Sequence, residues 1–314
     1  MQIEKIILGI LVILLVFSVA MVFGDQNISG VQQDRLQEIL SRGTLVVAVN
    51  TDLSSDFKVN NETVRDPESK CSDLQYAENQ VSGYDVEIGS QVAKELGVDS
   101  CYVATNSSEL KNSKWGDKWD YYTDFYMTND RLKCLYFTQP IFAVSSSFYV
   151  RANDTNVSSI SDLSGKKIGV YVQSAQTSYL DNNLTMVGTV NDNPVKDPAI
   201  VEYAQDSDAI NDLVSGKVDA LLFPDTDMKN VIATGTPIIA LQPYAFRGYS
   251  GIAVEKGDGV STVSFVKKLN EIVQKMHADG FLSSIYMKSF NQDLTKDAKS
   301  FDISSLHQFN ESSS

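Results

Sequence analysis

The chain has 314 residues, of which 43% are hydrophobic, 10% aromatic and 21% charged, a balance that excludes a wholly disordered chain and suits two domain-sized lobes. Its formal net charge of -14 would repel phosphate backbones and anionic headgroups, which argues against nucleic acid or a membrane surface as the binding partner. Three cysteines allow one disulfide and one leftover thiol.

Ile6 to Phe23 is an uncharged apolar run of 18 residues behind Lys5. It exceeds the roughly 7 to 15 residues of a signal-peptide core and just reaches the roughly 17 to 25 that span a bilayer, so 1–24 reads as a signal peptide or a membrane anchor. Either way the body is exported, to be held at the extracytoplasmic face or released. Residues 25–43 are a polar tether and a short helix, with Val31, Leu36, Ile39 and Leu40 on one face and a stop at Gly43. TLVVAV, Thr44 to Val49, predicts a strand buried on both faces. After a polar loop, GYDVEIGSQVAKELG places Ile88, Val92 and Leu96 at four-residue spacing, with Asp85 as cap and Gly97 as terminator. Cys71 and Cys101 lie in polar surroundings and are expected to pair in the oxidising exterior, leaving Cys134 in LKCLYF as a small core residue. Asn27, Asn61, Asn106, Asn153, Asn156, Asn183 and Asn310 head Asn-x-Ser/Thr triplets and are candidate N-glycosylation sites.

Strand and helix continue to alternate through KIGVYV, QSAQTSYL, AINDLVSG, VDALLF, YSGIAV and the long amphipathic SFVKKLNEIVQKM, the pattern of an α/β protein on parallel sheets. FAVSSSFYVR (Phe142–Arg151) and QPYAFRGYSG (Gln242–Gly251) lack a following helix; periodicity alone makes them ordinary internal strands. The segment after Phe290 is polar and expected to be peripheral. There is no GxxxxGK[ST], GxSxG, HExxH or CxxC pattern, and His277 and His307 are expected to be solvated, so neither a metal nor a cofactor is called for.

From Arg42 to Phe290 these pieces, in order, resemble the family 3 extracytoplasmic solute-binding proteins, the amino-acid receptors of ATP-driven ABC importers. SRGTLVVAVNTDLSSDF is similar to that family's opening strand and ligand loop, GYDVEIGSQVAKELG to its Gly-aromatic-Asp helix, and MTNDRLKCLYFTQPIF to its Thr-x-x-Arg turn. DLSGKKIGVYVQSAQTSYL, SGKVDALLFPD and YSGIAVEKGD with the final helices complete the series. The resemblance implies two Rossmann-like lobes joined by two crossing strands, the type II periplasmic-binding architecture. Its divisions would be 44–145 (first lobe), 146–246 (second lobe), 247–292 (return to the first lobe) and 293–314 (polar tail).

It also implies a ligand set. Arg131 would grip the ligand's α-carboxylate with its planar fork, Thr128 would shape the turn, and Tyr126 stands where Ser or Thr is usual. Asp124 would belong to the ligand set; the plainer alternative is a surface Arg131 paired with Asp124 or Asp130, and an enzyme would need Asp124 or Asp225 as its acid. Ser174 and Gln176 would serve from the opposite lobe, with Ala175 where a second hydroxyl is common. Asp225 would meet the α-ammonium, one residue later than usual because Pro224 takes the expected slot. Asn50, Asp52 and Phe57 would line the side-chain pocket. The function implied is a non-enzymatic, monomeric receptor that delivers an amino acid or related carboxylate to an ABC permease. A cyclic-carboxylate dehydratase on the same scaffold and a sensor acting through a separate signalling partner are the alternatives.

Overall fold

Helix α1 (Arg35–Arg42) starts where the Asp34 carboxylate accepts from the Gln37 N–H and stops at Gly43, whose left-handed φ of 71° turns the chain into strand β1 (Thr44–Asn50). Along β1 the side chains alternate between two cores. Leu45, Val47 and Val49 enter one, and Val46 and Ala48 the other, as a strand covered on both faces requires. The computed structural model describes residues 33–51, 57–60, 62–172, 174–188, 192–257 and 259–309. Asp34–Ser314 form one compact unit; the run Ile6–Phe23, the sequons at Asn27, Asn61 and Asn310, and Asp52 lie outside the described residues.

Chain order continues with α2 (Tyr84–Leu96), β2 (Asp99–Thr105), β3 (Tyr121–Tyr126), the single turn α3 (Arg131–Cys134) and the ten-residue β4 (Phe142–Arg151). Then come β5 (Lys167–Tyr171), α4 (Ala175–Leu180), β6 (Ala199–Tyr203), α5 (Asp206–Val214), β7 (Ala220–Pro224) and α6 (Asp225–Ala233). Strand β8 (Phe246–Glu255) and helices α7 (Val263–Ala278) and α8 (Phe281–Phe290) follow. The strands hydrogen-bond in the order β6-β5-β7-β4-β8-β3-β1-β2, with the short strand Tyr76–Ala77 outside β2. Pairing is parallel within β6-β5-β7 and within β3-β1-β2, and antiparallel at the two long strands between them.

Those long strands join two lobes. Phe142 and Val144 of β4 feed the first-lobe core, and Phe148 and Val150 the second-lobe core; Ser145, Ser146 and Ser147 span the junction. In β8, Phe246 belongs to the second lobe and Ile252 and Val254 to the first. The two pair antiparallel with Phe246 opposite Ser146 and Ser250 opposite Phe142. FAVSSSFYVR and QPYAFRGYSG are therefore neighbours at the lobe junction, as the family resemblance implies and periodicity alone does not.

Four sequence-based expectations need correction. Asp85 does not cap α2: Gly83 does, at φ 133°, and Asp85 is fully buried in the first turn. Cys134 is exposed at the end of α3, because the inward positions of the next strand fall to Leu135 and Phe137. His277 is buried. It shares the stripe of Val266, Leu269 and Val273 on α7, and its Nε2 donates to the Pro140 carbonyl at 2.7 Å. The polar tail is not peripheral: Thr295 and Ala298 are fully buried, and Gln139 Nε2 donates to the carbonyls of Ala298 and Phe301, each at 2.8 Å.

The Cys71–Cys101 disulfide is present, although Cys101 sits inside β2 and not in a loop. Asn106, Asn153, Asn156 and Asn183 are exposed. Among the described residues no helix is long and apolar enough to cross a membrane.

Candidate ligand cleft between the lobes

Parallel strands present a ligand site at their carboxyl ends, where side chains and backbone groups emerge beyond the hydrogen-bonded ladder. In the first lobe those ends belong to β1 and β3. Pairing of Val47 with Tyr121 and Ala48 with Tyr122 runs Asn50, which is buried, out beside Asp124. Asp124 Oδ2 accepts from the Tyr84 hydroxyl at 3.1 Å and Oδ1 from the Ser250 hydroxyl at 3.0 Å. Burial pushes its carboxyl above the usual range; these two bonds and the nearby Arg131 oppose the shift.

Beyond β3 the chain turns back through Thr128, whose hydroxyl accepts from the Arg131 N–H at 3.2 Å. The Arg131 guanidinium then folds under the strand end. Its Nη1 donates to the Tyr126 carbonyl at 2.8 Å and its plane lies 4.2 Å from the Phe125 ring centre. Burial lowers its pKa to about 10, with Tyr122 and Asp124 acting the other way, so it stays a cation at neutral pH. Among the described residues Arg131 has no ion-pair partner, and the alternative of a surface arginine bridged to Asp124 or Asp130 is not met; Asp130 instead pairs with Lys133.

The second lobe contributes the ends of β5 and β7. Tyr171 closes β5, stacks on Phe223 at 4.2 Å, and donates its hydroxyl to Asp227 Oδ2 at 3.0 Å. Asp225 opens α6 and its Oδ1 accepts from the Tyr149 hydroxyl at 2.7 Å. Asp227 also accepts from the Thr226 hydroxyl at 3.0 Å. Its pKa is pushed up to about 6, mainly by burial, with Asp124 of the other lobe and Asp206 adding to the rise. Burial likewise raises the Tyr126 phenol, and Asp124, Asp227 and Asp225 follow in that order. Tyr126 thus stands among carboxylates from both lobes.

Ser174 caps α4, its hydroxyl accepting from the Thr177 N–H at 3.2 Å. Gln176 is buried, with Nε2 donating to the Ser146 hydroxyl on the crossing strand at 3.0 Å. Thr128 pairs across to Met186 in an antiparallel bridge, flanked by Asn129 N–H to the Thr185 carbonyl at 3.0 Å and Val187 N–H to the Met127 carbonyl at 3.1 Å. The anchor turn of one lobe is therefore tied to a segment of the other.

Asp124, Tyr126, Thr128, Arg131 and Asn50 are thus brought together at one lobe's strand ends, and Gln176, Ser174 and Asp225 at the other's. Phe57 packs with Tyr76, ring centres 6.1 Å apart, in the first-lobe core. Trp115, Trp119, Tyr121 and Tyr122 are buried core residues. Sequence reasoning missed Tyr84, Ser250, Tyr171 and Asp227. For Asp227 a signal was present: PDTD sets two acids in the first turn of a helix that directly follows a buried parallel strand.

The sequence profile of the bacterial extracellular solute-binding proteins, family 3, matches residues 72–292. The chain belongs to this family. Across 286 residues it is 26% identical to the L-cystine-binding protein TcyJ of Escherichia coli (strain K12), covering 90% of this chain and 95% of that one. Across 231 residues it is 26% identical to an L-arginine-binding protein of Pseudomonas aeruginosa, covering 70% and 84%. Among solved structures, the amino acid ABC transporter substrate-binding protein AbpA of Streptococcus pneumoniae, bound to L-arginine, superposes with a TM-score of 0.60 at 23% identity, over 83% of this chain and all of that one. That likeness establishes the two-lobed fold of this family member. The named relatives are binding proteins, not enzymes.

Proposed function

We propose that this family member is an extracytoplasmic receptor that captures a small amino acid between its lobes and hands the closed form to an ABC permease. The observation that carries this reading is Arg131. Its guanidinium has one donor fixed on the Tyr126 carbonyl, one face on Phe125 and, among the described residues, no carboxylate partner. A fork held in place and left without an anion suits a ligand carboxylate, which it can bind bidentately.

Thr128 fixes the turn that aims it, and Tyr126 contributes its carbonyl where the family commonly has a small hydroxyl. From the second lobe, Ser174 and Gln176 set the start of α4 against β4, and Asp225 offers an acceptor for the ligand's ammonium. Asp124 and Asn50 line the first-lobe side. Closure of the lobes would dry these charge-assisted bonds and strengthen them, so ligand shifts an open-to-closed equilibrium. The N-terminal segment exports the body and either anchors or releases it.

A thermal-shift screen of the purified protein against the common amino acids and small carboxylates, with Arg131→Ala beside the wild type, tests the reading. A ligand at a hundredfold excess over its Kd adds about 2.7 kcal/mol, a shift of a few degrees. A hit lost in Arg131→Ala is expected; a hit that Arg131→Ala retains would remove the carboxylate anchor, and silence throughout would remove amino-acid capture.

A further inference from the structure

Asp124, Asp225 and Asp227 approach the cleft from both lobes, and among the described residues none has an ion-pair partner: their acceptor bonds come from Tyr84, Ser250, Tyr149, Tyr171 and Thr226 hydroxyls. The alternation of β8 explains why Arg247 does not neutralise them. Ser250 lies on the cleft side with Asp124, and Gly248 lies there against the Tyr126 ring. Arg247 and Tyr249 face the other way, onto Asp297 and Phe301.

Arg131 is the cation that an α-carboxylate would neutralise. A zwitterionic amino acid brings one ammonium against three carboxylates, and leaves the lobes to close with negative charge on both walls. Like charges brought together in a drying cleft oppose closure, and a cation between them removes that opposition.

We propose that the cleft is selective for an amino acid with a positively charged side chain, and that Asp227 is the residue that sets this selectivity. The inference rests on the receptor reading above and adds to it the class of ligand. Tyr84 donates to Asp124 and Tyr171 donates to Asp227, and a carboxylate with so few donors keeps acceptor capacity for a guanidinium or ammonium. Asp225, bound by Tyr149, is the acid offered to the α-ammonium that every amino acid carries, whereas Asp227, bound by Tyr171 at the carboxyl end of β5, is left for a side-chain cation. Asp227 is the acid whose ionisation the opposite lobe's Asp124 disfavours.

Isothermal titration at pH 7.5 of the purified full-length protein uses two matched pairs, L-arginine with its uncharged isostere L-citrulline and L-lysine with L-norleucine, within a panel of all common amino acids and L-cystine. At least one cationic member is expected to bind about tenfold or more tightly than its uncharged partner. Asp227→Asn should shrink that ratio to under about threefold, Asp227→Glu should retain it, and Asp225→Asn should leave it standing. Equal binding within both pairs, preference for an uncharged or acidic amino acid, or a ratio that persists in Asp227→Asn overturns the inference while the receptor reading stands. Absence of binding to every member of the panel overturns both.

Discussion

The Tyr126 ring lies directly against Gly248 of the crossing strand: a methyl group placed on Gly248 would stand 2.6 Å from Tyr126 Cδ1 and 2.8 Å from Met186 Cε. Since the Tyr126 carbonyl holds Arg131, the glycine fixes the proposed carboxylate anchor from one strand away. Gly248→Ala is expected to displace the ring, cost about 1 to 3 kcal/mol of stability as overpacking does, and weaken ligand binding several-fold. Denaturant unfolding and calorimetric titration of the variant read the two effects; an unaltered affinity would show that the ring moves without disturbing Arg131.

The architecture could be read from the chain where burial alternates cleanly. TLVVAV and VDALLF read as doubly covered strands because each successive side chain has a core to enter, and in β7 Ala220 and Leu222 face one core and Leu221 and Phe223 the other. The crossing strand was harder, since FAVSSSFYVR is apolar at both ends for two different lobes, and its three serines look like an ordinary polar middle. His277 was misread from its residue type and Cys134 from its apolar neighbours: a helix stripe buries the histidine and a single turn exposes the cysteine. At the site, order along the chain led to Arg131 and Thr128. The pairing of Tyr84 with Asp124 joins residues 40 apart, and no local spacing encodes it.

The tail shows what composition conceals. Gln308 closes both backbone groups of Phe137 at once, accepting from its N–H at 2.8 Å and donating to its carbonyl at 2.6 Å. Asp297 pairs with Arg247 on β8, and the Leu294 carbonyl accepts from the Ala143 N–H on β4 at 3.0 Å. Both crossing strands therefore lean on a segment that looked dispensable. Gln308→Ala should cost about 1 to 2 kcal/mol, by leaving partly buried groups without partners. Truncation after residue 292 should cost more, since Leu294, Ala298 and Leu306 would lose their packing. Matching melting temperatures for the truncated and intact proteins would contradict this.

The disulfide closes a sequence separation of 30 residues and ties the loop carrying Cys71 to the early part of β2. Arg65 braces the same loop by donating to the carbonyls of Cys71 and Ser72. Reduction should lower unfolding stability by about 3 to 4 kcal/mol in the chain-entropy account. Ligand affinity should change little, because Cys101 precedes the cleft-facing end of its strand. Urea titrations with and without reductant measure the first expectation, and binding measured under reductant the second.

Asp227 is expected to make stability and binding respond to pH in opposite directions. Its folded-state pKa of about 6 lies above the usual carboxylate value, so the folded ligand-free protein keeps a proton that the unfolded chain releases near pH 4. The stabilisation is complete below about pH 4 and is lost as pH rises through about 6, on the order of 1 to 3 kcal/mol for this group. Asp120, buried between Arg35 and Arg42 and also raised to about 6, acts in the same sense, so Asp227→Asn should remove only part of the decline. A cation seated on Asp227 favours the ionised carboxylate, and its affinity should therefore increase between pH 5 and pH 7 while ligand-free stability falls. Titrating the bound amino acid across that range in wild type and Asp227→Asn separates the two. A pH dependence of binding that is the same in both would place the titrating group elsewhere, with Asp124 the next to be tested because its carboxyl is also raised by burial.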